Sequence, residues 1–207
     1  RPRSATKRGP AQARVAQMLL LTLRGTPTLY YGDELGMEDV AIPPDLVQDP
    51  RELREPGIGM GRDPVRTPMQ WDDGSNGGFT GGEPWLPLGP DLATCNVAAQ
   101  AADPASMLTL VKRLVALRRA TPALATGDLT LIEAEGDVLA FLRGREVLVA
   151  LNLGTKEQRL ALPTGDYRPL LSTLADLPSR PTTTLTLRPN EGLILHQQTT
   201  PAQTGVQ

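Results

Sequence analysis

The first regular pattern of apolar residues in the chain lies between Pro10 and Gly25. Apolar side chains recur there at the spacing i, i+3, i+4, i+7 from Val15 onward, and proline and glycine commonly mark the start and the end of a helix. The run TPTLYYG that follows, residues 26–32, is short, β-branched and aromatic, which predicts a buried strand. A helix followed closely by a buried strand is typical of an α/β domain with a parallel sheet.

The acidic sequence GDELGMED overlaps the end of that predicted strand. In parallel α/β folds, catalytic and binding residues are usually placed at the carboxyl ends of the strands. Asp33 and Glu34 are therefore candidates for chemistry, and the alternative is that they only brace the next loop. Bracing is the more common role, and we expect it here.

Residues 37–105 form a long segment rich in proline and glycine, with stretches such as REPGIGMGRDP and DDGSNGGFTGGEPWLPLGPD. Such a composition predicts turns, and a loop of this length in a compact domain is either functional or disordered. Two tryptophans, a phenylalanine and prolines of fixed φ favour order. We therefore expect an ordered lid or wall, with RDPVRTPMQWDD at its centre.

A second helix is predicted by DPASMLTLVKRLVALRRATPAL, whose apolar stripe runs from Met107 to Leu117 at helical spacing. Asp103 is the expected cap and Pro104 the expected first helical residue. Basic residues favour the C-terminal half of a helix because of its dipole. Those present here, which we interpret as a solvated face, are Lys112, Arg113, Arg118 and Arg119.

From residue 126 to residue 198 the apolar period changes to two. Segments that alternate apolar and polar side chains between turn signals are typical of strands with one buried face. They are DLTLIEAE, DVLAFLRG, REVLVALNLG, QRLALP, TTTLTLRP and EGLILHQ. The pattern predicts an antiparallel β-sandwich or an open barrel. His196, the single histidine, is expected to be structural, and the tail from residue 199 is expected to fray.

The composition narrows the possible functions. A chain of 207 residues suffices for one large domain or two modest ones, and its net charge of −2 favours neither a nucleic-acid partner nor a membrane surface. Cys95 is the one cysteine, which excludes an intramolecular disulfide, and we expect it to be a passive side chain. No cofactor or metal is expected. The absence of a signal-peptide pattern leads us to expect the cytoplasm, and the absence of an initiator methionine leads us to expect a piece of a longer protein.

The segments GTPTLYYGDELGM and GRDPVRTPMQWDDGSNGGFT closely resemble the α-glucosidase branch of the α-amylase superfamily of glycoside hydrolases, which includes oligo-1,6-glucosidases. The resemblance implies that residues 1–125 are the end of a (β/α)8 TIM barrel: its eighth strand, the long loop after that strand and the last helix. Residues 126–207 are then the C-terminal antiparallel β-sandwich domain. The likeness covers essentially the whole chain but only the last part of such an enzyme.

The resemblance implies a retaining hydrolase that removes terminal α-linked glucose from oligosaccharides. Retaining chemistry needs two carboxyl groups about 5–5.5 Å apart on either side of the glycosidic bond. In the family these groups precede the part matched here, and Arg3 resembles an arginine that follows the third catalytic carboxylate. We therefore expect no catalytic residue in this chain and no activity from the chain alone. The alternatives are a fragment of a trehalose synthase, which isomerises maltose by glucosyl transfer, and a fragment of a non-catalytic relative.

The charged stretch RDPVRTPMQWDD supplies the candidates for sugar binding. In relatives this loop walls the non-reducing end of the pocket, and one of its arginines contacts the terminal glucose. Arg62 is our first choice and Arg66 our second, since a guanidinium fork can donate to two hydroxyls. The alternative for both arginines is a structural ion pair with Asp63, Asp72 or Asp33.

The same resemblance places Asp33, Glu34, Asp63 and Asp72 at positions that look structural. Trp71 either stacks on a sugar or anchors the loop, and anchoring is the more common role. The expected partner is an oligosaccharide or a disaccharide of the maltose type, with no nucleic acid and no membrane.

Overall fold

The computed structural model describes residues 4–181 and 183–198. Arg3 and the tail from residue 199 therefore lie outside the described residues. The helices are α1 Ser4–Thr22, α2 Pro50–Arg54, α3 Val97–Ala102, α4 Met107–Ala120 and α5 Pro122–Thr126. The strands are β1 Leu129–Ile132, β2 Val138–Arg143, β3 Val147–Asn152, β4 Gln158–Ala161, β5 Asp166–Ser172, β6 Thr184–Leu187 and β7 Gly192–Gln198.

The chain divides into two compact units. The N-terminal unit contains residues 1–17 and 28–113, and the C-terminal unit contains residues 18–27 and 114–207. The domain boundary that the sequence predicts, between residues 125 and 126, stays a prediction. None of the described helices is long and apolar enough to span a bilayer.

Helix α1 is kinked at Gly9, whose φ of +78° is easily adopted only by glycine. Pro10 follows the kink directly, so the regular part of the helix begins where the sequence predicts. Val15, Met18 and Thr22 of the predicted face are buried and Leu19 is half-buried, so the structure confirms that face.

The buried strand predicted at TPTLYYG is wrong. Residues 26–30 are irregular, residues 31–36 form turns, and neither stretch joins any sheet of the described chain. Leu29, Tyr30 and Tyr31 are 38%, 42% and 39% exposed. A parallel strand needs neighbouring strands to satisfy its backbone and to cover both its faces, and the described N-terminal unit has none. A parallel sheet is therefore not found among the described residues.

The long segment between residues 37 and 105 contains only short helical turns, as predicted. Its path is held by amide side chains that bond to the backbone. Gln70 donates to the Cys95 carbonyl and accepts from the Gly89 N–H, and Gln100 donates to the Leu35 carbonyl at 2.7 Å. The small core beneath these bonds consists of Leu35, Met37, Cys95 and Leu108. The passive role expected for Cys95 agrees with its place in this core.

Helix α4 confirms the second predicted helix, with Met107, Leu110, Val111 and Leu114 buried. The expected cap is wrong, because the Ser106 hydroxyl accepts from the Thr109 N–H at 3.1 Å and caps the helix. The carboxylate of Asp103 is already engaged, since it accepts from the Ala105 N–H at 2.8 Å. That local turn delays the start of the helix.

The C-terminal unit is antiparallel, as predicted. One sheet has the order β1-β2-β3-β7-β5, and β4 pairs with β6 in a second sheet. Leucines from both sheets share one hydrophobic cluster around Tyr167. Strand β5 was not predicted, because Pro169 interrupts its alternation. It lies at the edge of the sheet with an irregularity between Pro169 and Leu171, where proline is tolerated.

Candidate functional site

A cavity of about 680 Å³ lies in the N-terminal unit and is lined mainly by aromatic and apolar side chains. Its lining residues are Tyr30, Tyr31, Glu34, Arg66, Thr67, Pro68, Met69, Trp71, Phe79 and Trp85. The whole chain has two Trp, three Tyr and two Phe, so five of its seven aromatic residues line this one cavity. Each of the five is 39–54% exposed. A group of exposed aromatic side chains in a concave surface is typical of a ligand site.

Two local turns present the aromatic side chains. Tyr30 and Tyr31 lie at a turn closed by the Asp33 N–H, which donates to the Tyr30 carbonyl at 3.1 Å, and Gly32 in this turn has a φ of +85° that favours glycine. The two tyrosine rings are 4.9 Å apart between centroids and are tilted by 38°. The Tyr31 hydroxyl donates to the Thr67 carbonyl at 3.0 Å and so links this turn to the arginine loop.

The second turn presents Trp71. Its N–H donates to the Gly77 carbonyl at 2.8 Å, across a turn in which Asn76 and Gly77 have φ of 55° and 60°. The Asp72 carboxylate accepts from the Gly74 N–H at 2.9 Å and closes the same turn. The Trp71 side chain is 50% exposed and lines the cavity, so the structure does not show it as a buried anchor.

Arg62 is held in an ion pair with Asp49. Nε donates to Asp49 Oδ2 at 2.8 Å and Nη2 to Oδ1 at 3.1 Å, in the forked geometry that carboxylates favour. The guanidinium hydrogen bonds, followed by those from the Arg51 and Arg62 backbone N–H groups, hold the pKa of Asp49 well below its ordinary value. The Asp49 side chain is fully buried, whereas that of Arg62 is 55% exposed.

Asp63 has a structural role beside that pair. It is 2% exposed, and its Oδ2 accepts from the backbone N–H groups of Gln48 and Asp49 at 2.6 and 2.7 Å. The ion pair expected as the alternative for Arg62 is therefore formed with Asp49 rather than with Asp63, Asp72 or Asp33. Asp49 lies thirteen positions earlier in the chain, so only the folded loop brings the two together.

Arg66 lines the aromatic cavity, and its backbone N–H closes the turn from Asp63 at 2.9 Å. Within residues 4–181 and 183–198, no hydrogen bond or ion pair of its guanidinium is found. Glu34 is the one carboxylate among the described lining residues. The structure thus brings Arg66, Glu34 and the aromatic side chains to one place and puts Arg62 in the neighbouring ion pair.

Several lining residues were not singled out from the sequence, namely Tyr30, Tyr31, Phe79 and Trp85. The available signal was the concentration of aromatic residues between positions 30 and 85 of a chain with few of them. In the described part of the chain, no group of three or more His, Cys, Asp or Glu is placed to hold a metal ion.

The sequence model described as the alpha amylase catalytic domain matches residues 1–127. The chain is 36% identical over 163 residues to a probable alpha-glucosidase of Rhizobium meliloti, an alignment that covers 77% of the chain and 30% of that relative. It is 34% identical over 173 residues to an oligo-1,6-glucosidase of Parageobacillus thermoglucosidasius, an alignment that covers 73% of the chain and 31% of that relative. The crystal structure of the alpha-glucosyl transfer enzyme XgtA is 33% identical, with a TM-score of 0.83, and is matched over 94% of this chain and 38% of that one.

These matches show that the chain belongs to the α-amylase family. They confirm the resemblance inferred from the GTPTLYYGDELGM and RTPMQWDD motifs. The chain spans about 30% of the length of the curated relatives it matches.

Proposed function

We propose that this chain is the sugar-binding end of an α-glucosidase that releases terminal α-linked glucose from oligosaccharides of the maltose or isomaltose type. The observation that carries the proposal is the cavity lined by five aromatic residues, Arg66 and Glu34. Aromatic faces cover the apolar faces of a sugar ring, while a few polar groups fix its orientation. The similarity to an alpha-glucosidase and an oligo-1,6-glucosidase supports the same class of substrate.

Arg66 is the residue we propose as the main sugar contact. It lines the cavity, and its planar donor fork matches two adjacent hydroxyl groups. Arg62 stays a candidate through the exposed part of its guanidinium. Its established contact is with Asp49, and that contact holds the loop from which Arg66 projects.

The catalytic carboxylates are proposed to come from the rest of the protein. A retaining mechanism needs two carboxyl groups about 5–5.5 Å apart, and the described lining of the cavity includes one, Glu34. We therefore propose that the chain binds sugar but does not hydrolyse it alone.

The test of binding uses the intrinsic fluorescence of the protein. Both tryptophans, Trp71 and Trp85, line the cavity, so their emission reports on its occupancy. Titration with maltose and isomaltose should give a saturable change, and Arg66→Ala should weaken it by about tenfold or more, as expected for the loss of a charged hydrogen-bond donor. A saturable change of equal affinity in the wild type and in Arg66→Ala would remove Arg66 from the site.

Glucosyl transfer is the second candidate activity, favoured by the match to an alpha-glucosyl transfer enzyme over 94% of the chain. The full-length protein should be incubated with maltose, isomaltose and sucrose while free glucose and new disaccharides are measured. Free glucose as the main product supports hydrolysis. A new disaccharide, such as trehalose from maltose, supports transfer.

A further inference from the structure

The turn that presents Trp71 contains an asparagine followed directly by a glycine, Asn76 and Gly77. Such a step can rearrange without an enzyme, because glycine has no side chain to hinder attack by its backbone nitrogen on the preceding side-chain amide. The other three asparagines precede valine, leucine and glutamate, whose side chains hinder that attack. They are Asn96, Asn152 and Asn190.

The rearrangement is a deamidation. The Gly77 nitrogen attacks Asn76 Cγ, the bond from Cγ to Nδ2 breaks, and ammonia leaves with the proton of the backbone amide. Water then opens the resulting succinimide ring. Opening at Cγ gives aspartate, and opening at the main-chain carbonyl gives isoaspartate, in which the backbone runs through Cβ and Cγ. Either product replaces a neutral hydrogen-bond donor by a carboxylate, which only accepts.

The folded turn engages both groups that must react. The Gly77 N–H donates to the Gly74 carbonyl at 3.0 Å, and Asn76 Nδ2 donates to the Gly82 carbonyl at 2.8 Å. Gly77 is also buried, and a Cβ at this position would lie 3.1 Å from Leu92 Cδ1. Attack requires both hydrogen bonds to open, so the reaction proceeds from turns that have unfolded locally.

We propose that Asn76 is a deamidation site, protected by the folded turn, whose modification releases the segment 79–85. The Asn76 side chain holds this segment through the Gly82 carbonyl, and its main-chain carbonyl accepts from the Phe79 N–H at 3.0 Å. A carboxylate at position 76 cannot donate to the Gly82 carbonyl and meets it as a second acceptor. It also adds a like charge to a turn that the Asp72 carboxylate already closes.

The site is tested by incubating the full chain in mildly alkaline buffer, with and without urea, and locating aspartate and isoaspartate by peptide mass spectrometry. In urea, Asn76 should react faster than the other three asparagines. In the folded chain its rate should be lower by at least about tenfold, since two hydrogen bonds must open first. An equal rate in both states would contradict protection by the turn. Equal rates at all four asparagines in urea would contradict the choice of site.

Asp72→Ala tests whether closure of the turn controls the reaction. The substitution removes the acceptor of the Gly74 N–H, a contact of 2.9 Å, and should raise the rate at Asn76 in the folded chain by about tenfold. Asp73→Ala removes the same charge at the exposed neighbouring position and should change the rate by less than about twofold. Equal rates in the two variants would show that the turn does not control the reaction.

Asn76→Asp reproduces the charge of the product and tests the release of the segment. Chymotryptic cleavage after Phe79 should become about tenfold faster, because local unfolding exposes that bond to the protease. Ser75→Asp adds the same charge at the preceding exposed residue but keeps the Asn76 amide, so its cleavage should match that of the wild type. Cleavage after Tyr30 is the internal reference. Unchanged cleavage after Phe79, or equal acceleration at both sites, would overturn the proposed release.

Discussion

At the scale of single residues, the arginines of the charged loop differ through one buried aspartate. Asp49 is fully buried and takes two hydrogen bonds from the Arg62 guanidinium, so Arg62 compensates a buried charge. Arg66, four positions later, lines the aromatic cavity, and no carboxylate of the described residues pairs with it. The two side chains therefore have separable effects, one on the stability of the loop and one on ligand binding.

Replacing Arg62 by alanine should lower the melting temperature of the N-terminal unit by several degrees. The substitution leaves the Asp49 carboxylate buried without its guanidinium partner, which is far more costly than the loss of an exposed ion pair. Thermal unfolding followed by tryptophan fluorescence measures the effect, since both tryptophans lie in this unit. Arg66→Ala is the matched control and should leave the melting temperature unchanged. Equal shifts in the two variants would contradict the assignment.

Glu191 is the corresponding buried carboxylate of the C-terminal unit. It is 1% exposed, and burial by itself raises its pKa. Hydrogen bonds from the Arg188 side chain and backbone and from the Ser172 hydroxyl more than offset this, so the pKa of Glu191 lies below its ordinary value. The bound carboxylate therefore stabilises the folded unit at neutral pH.

The expected pH dependence follows from the lowered pKa of Glu191. The stabilisation is complete above the ordinary glutamate pKa of about 4.3 and is lost as the pH falls toward the lower folded value. Urea unfolding followed by far-ultraviolet circular dichroism at pH 7, 5, 4 and 3 should show a smaller loss of stability for Glu191→Gln than for the wild type. Glu135 is exposed, so Glu135→Gln removes the same charge without a buried contact and should show the same loss of stability with pH as the wild type. Parallel pH curves for wild type and Glu191→Gln would refute the linkage.

At the scale of elements, the C-terminal end of α1 is held by two arginines from elsewhere in the C-terminal unit. Arg118 of α4 donates to the carbonyls of Leu21, Leu23 and Gly25 at 2.8, 3.1 and 2.6 Å. Arg143 at the end of β2 is fully buried and donates to the last α1 carbonyl, Thr22. Carbonyls at a helix end lack partners within the helix, and cations there also suit its dipole.

Arg118→Lys should destabilise the C-terminal unit by about 1–2 kcal/mol, because an ammonium on a flexible stem cannot reach three carbonyls at once. The free energy of unfolding is measured with urea and far-ultraviolet circular dichroism. Arg119→Ala, at an exposed position of the same helix within the C-terminal unit, should change it by less than about 0.5 kcal/mol. Arg118 was predicted to belong to a solvated face, and a neutral result for Arg118→Lys would restore that interpretation.

At the scale of the whole molecule, the C-terminal unit draws on a distant segment of the sequence. Residues 18–27 belong to it, and Met18 and Leu21 are almost fully buried. The Arg143 guanidinium has two hydrogen-bond acceptors, Thr22 in that segment and Gly127 at 3.0 Å. The predicted domain 126–207 lacks the first of them.

A protein consisting of residues 126–207 should therefore unfold at a lower urea concentration than the same unit in the full chain. A buried donor left without its acceptor costs about 1–3 kcal/mol. Arg143→Met provides the matched comparison: it should destabilise the full chain but be neutral or stabilising in the shorter protein. The same sign of effect in both would show that the segment 18–27 does not support Arg143.

Much of the architecture followed from local pattern. The period of 3.6 around Val15 and Met107 predicted both long helices, and the period of two predicted six of the seven strands. Strand β5 was missed because Pro169 masks the alternation, and the edge position that makes proline acceptable is a property of the sheet. The strand at TPTLYYG was wrong because propensity does not supply the neighbouring strands that pairing requires.

The sequence by itself determined the family, the antiparallel C-terminal unit and the loop that carries the candidate site, because these depend on motifs and on periodic patterns of side chains. Only the tertiary structure decided which residues contact one another. Asp49 rather than a neighbouring aspartate binds Arg62, Arg118 closes the end of α1, and five scattered aromatic residues line one cavity. Each of these depends on contacts between residues far apart in the chain, and such contacts form only when the backbone brings the residues together.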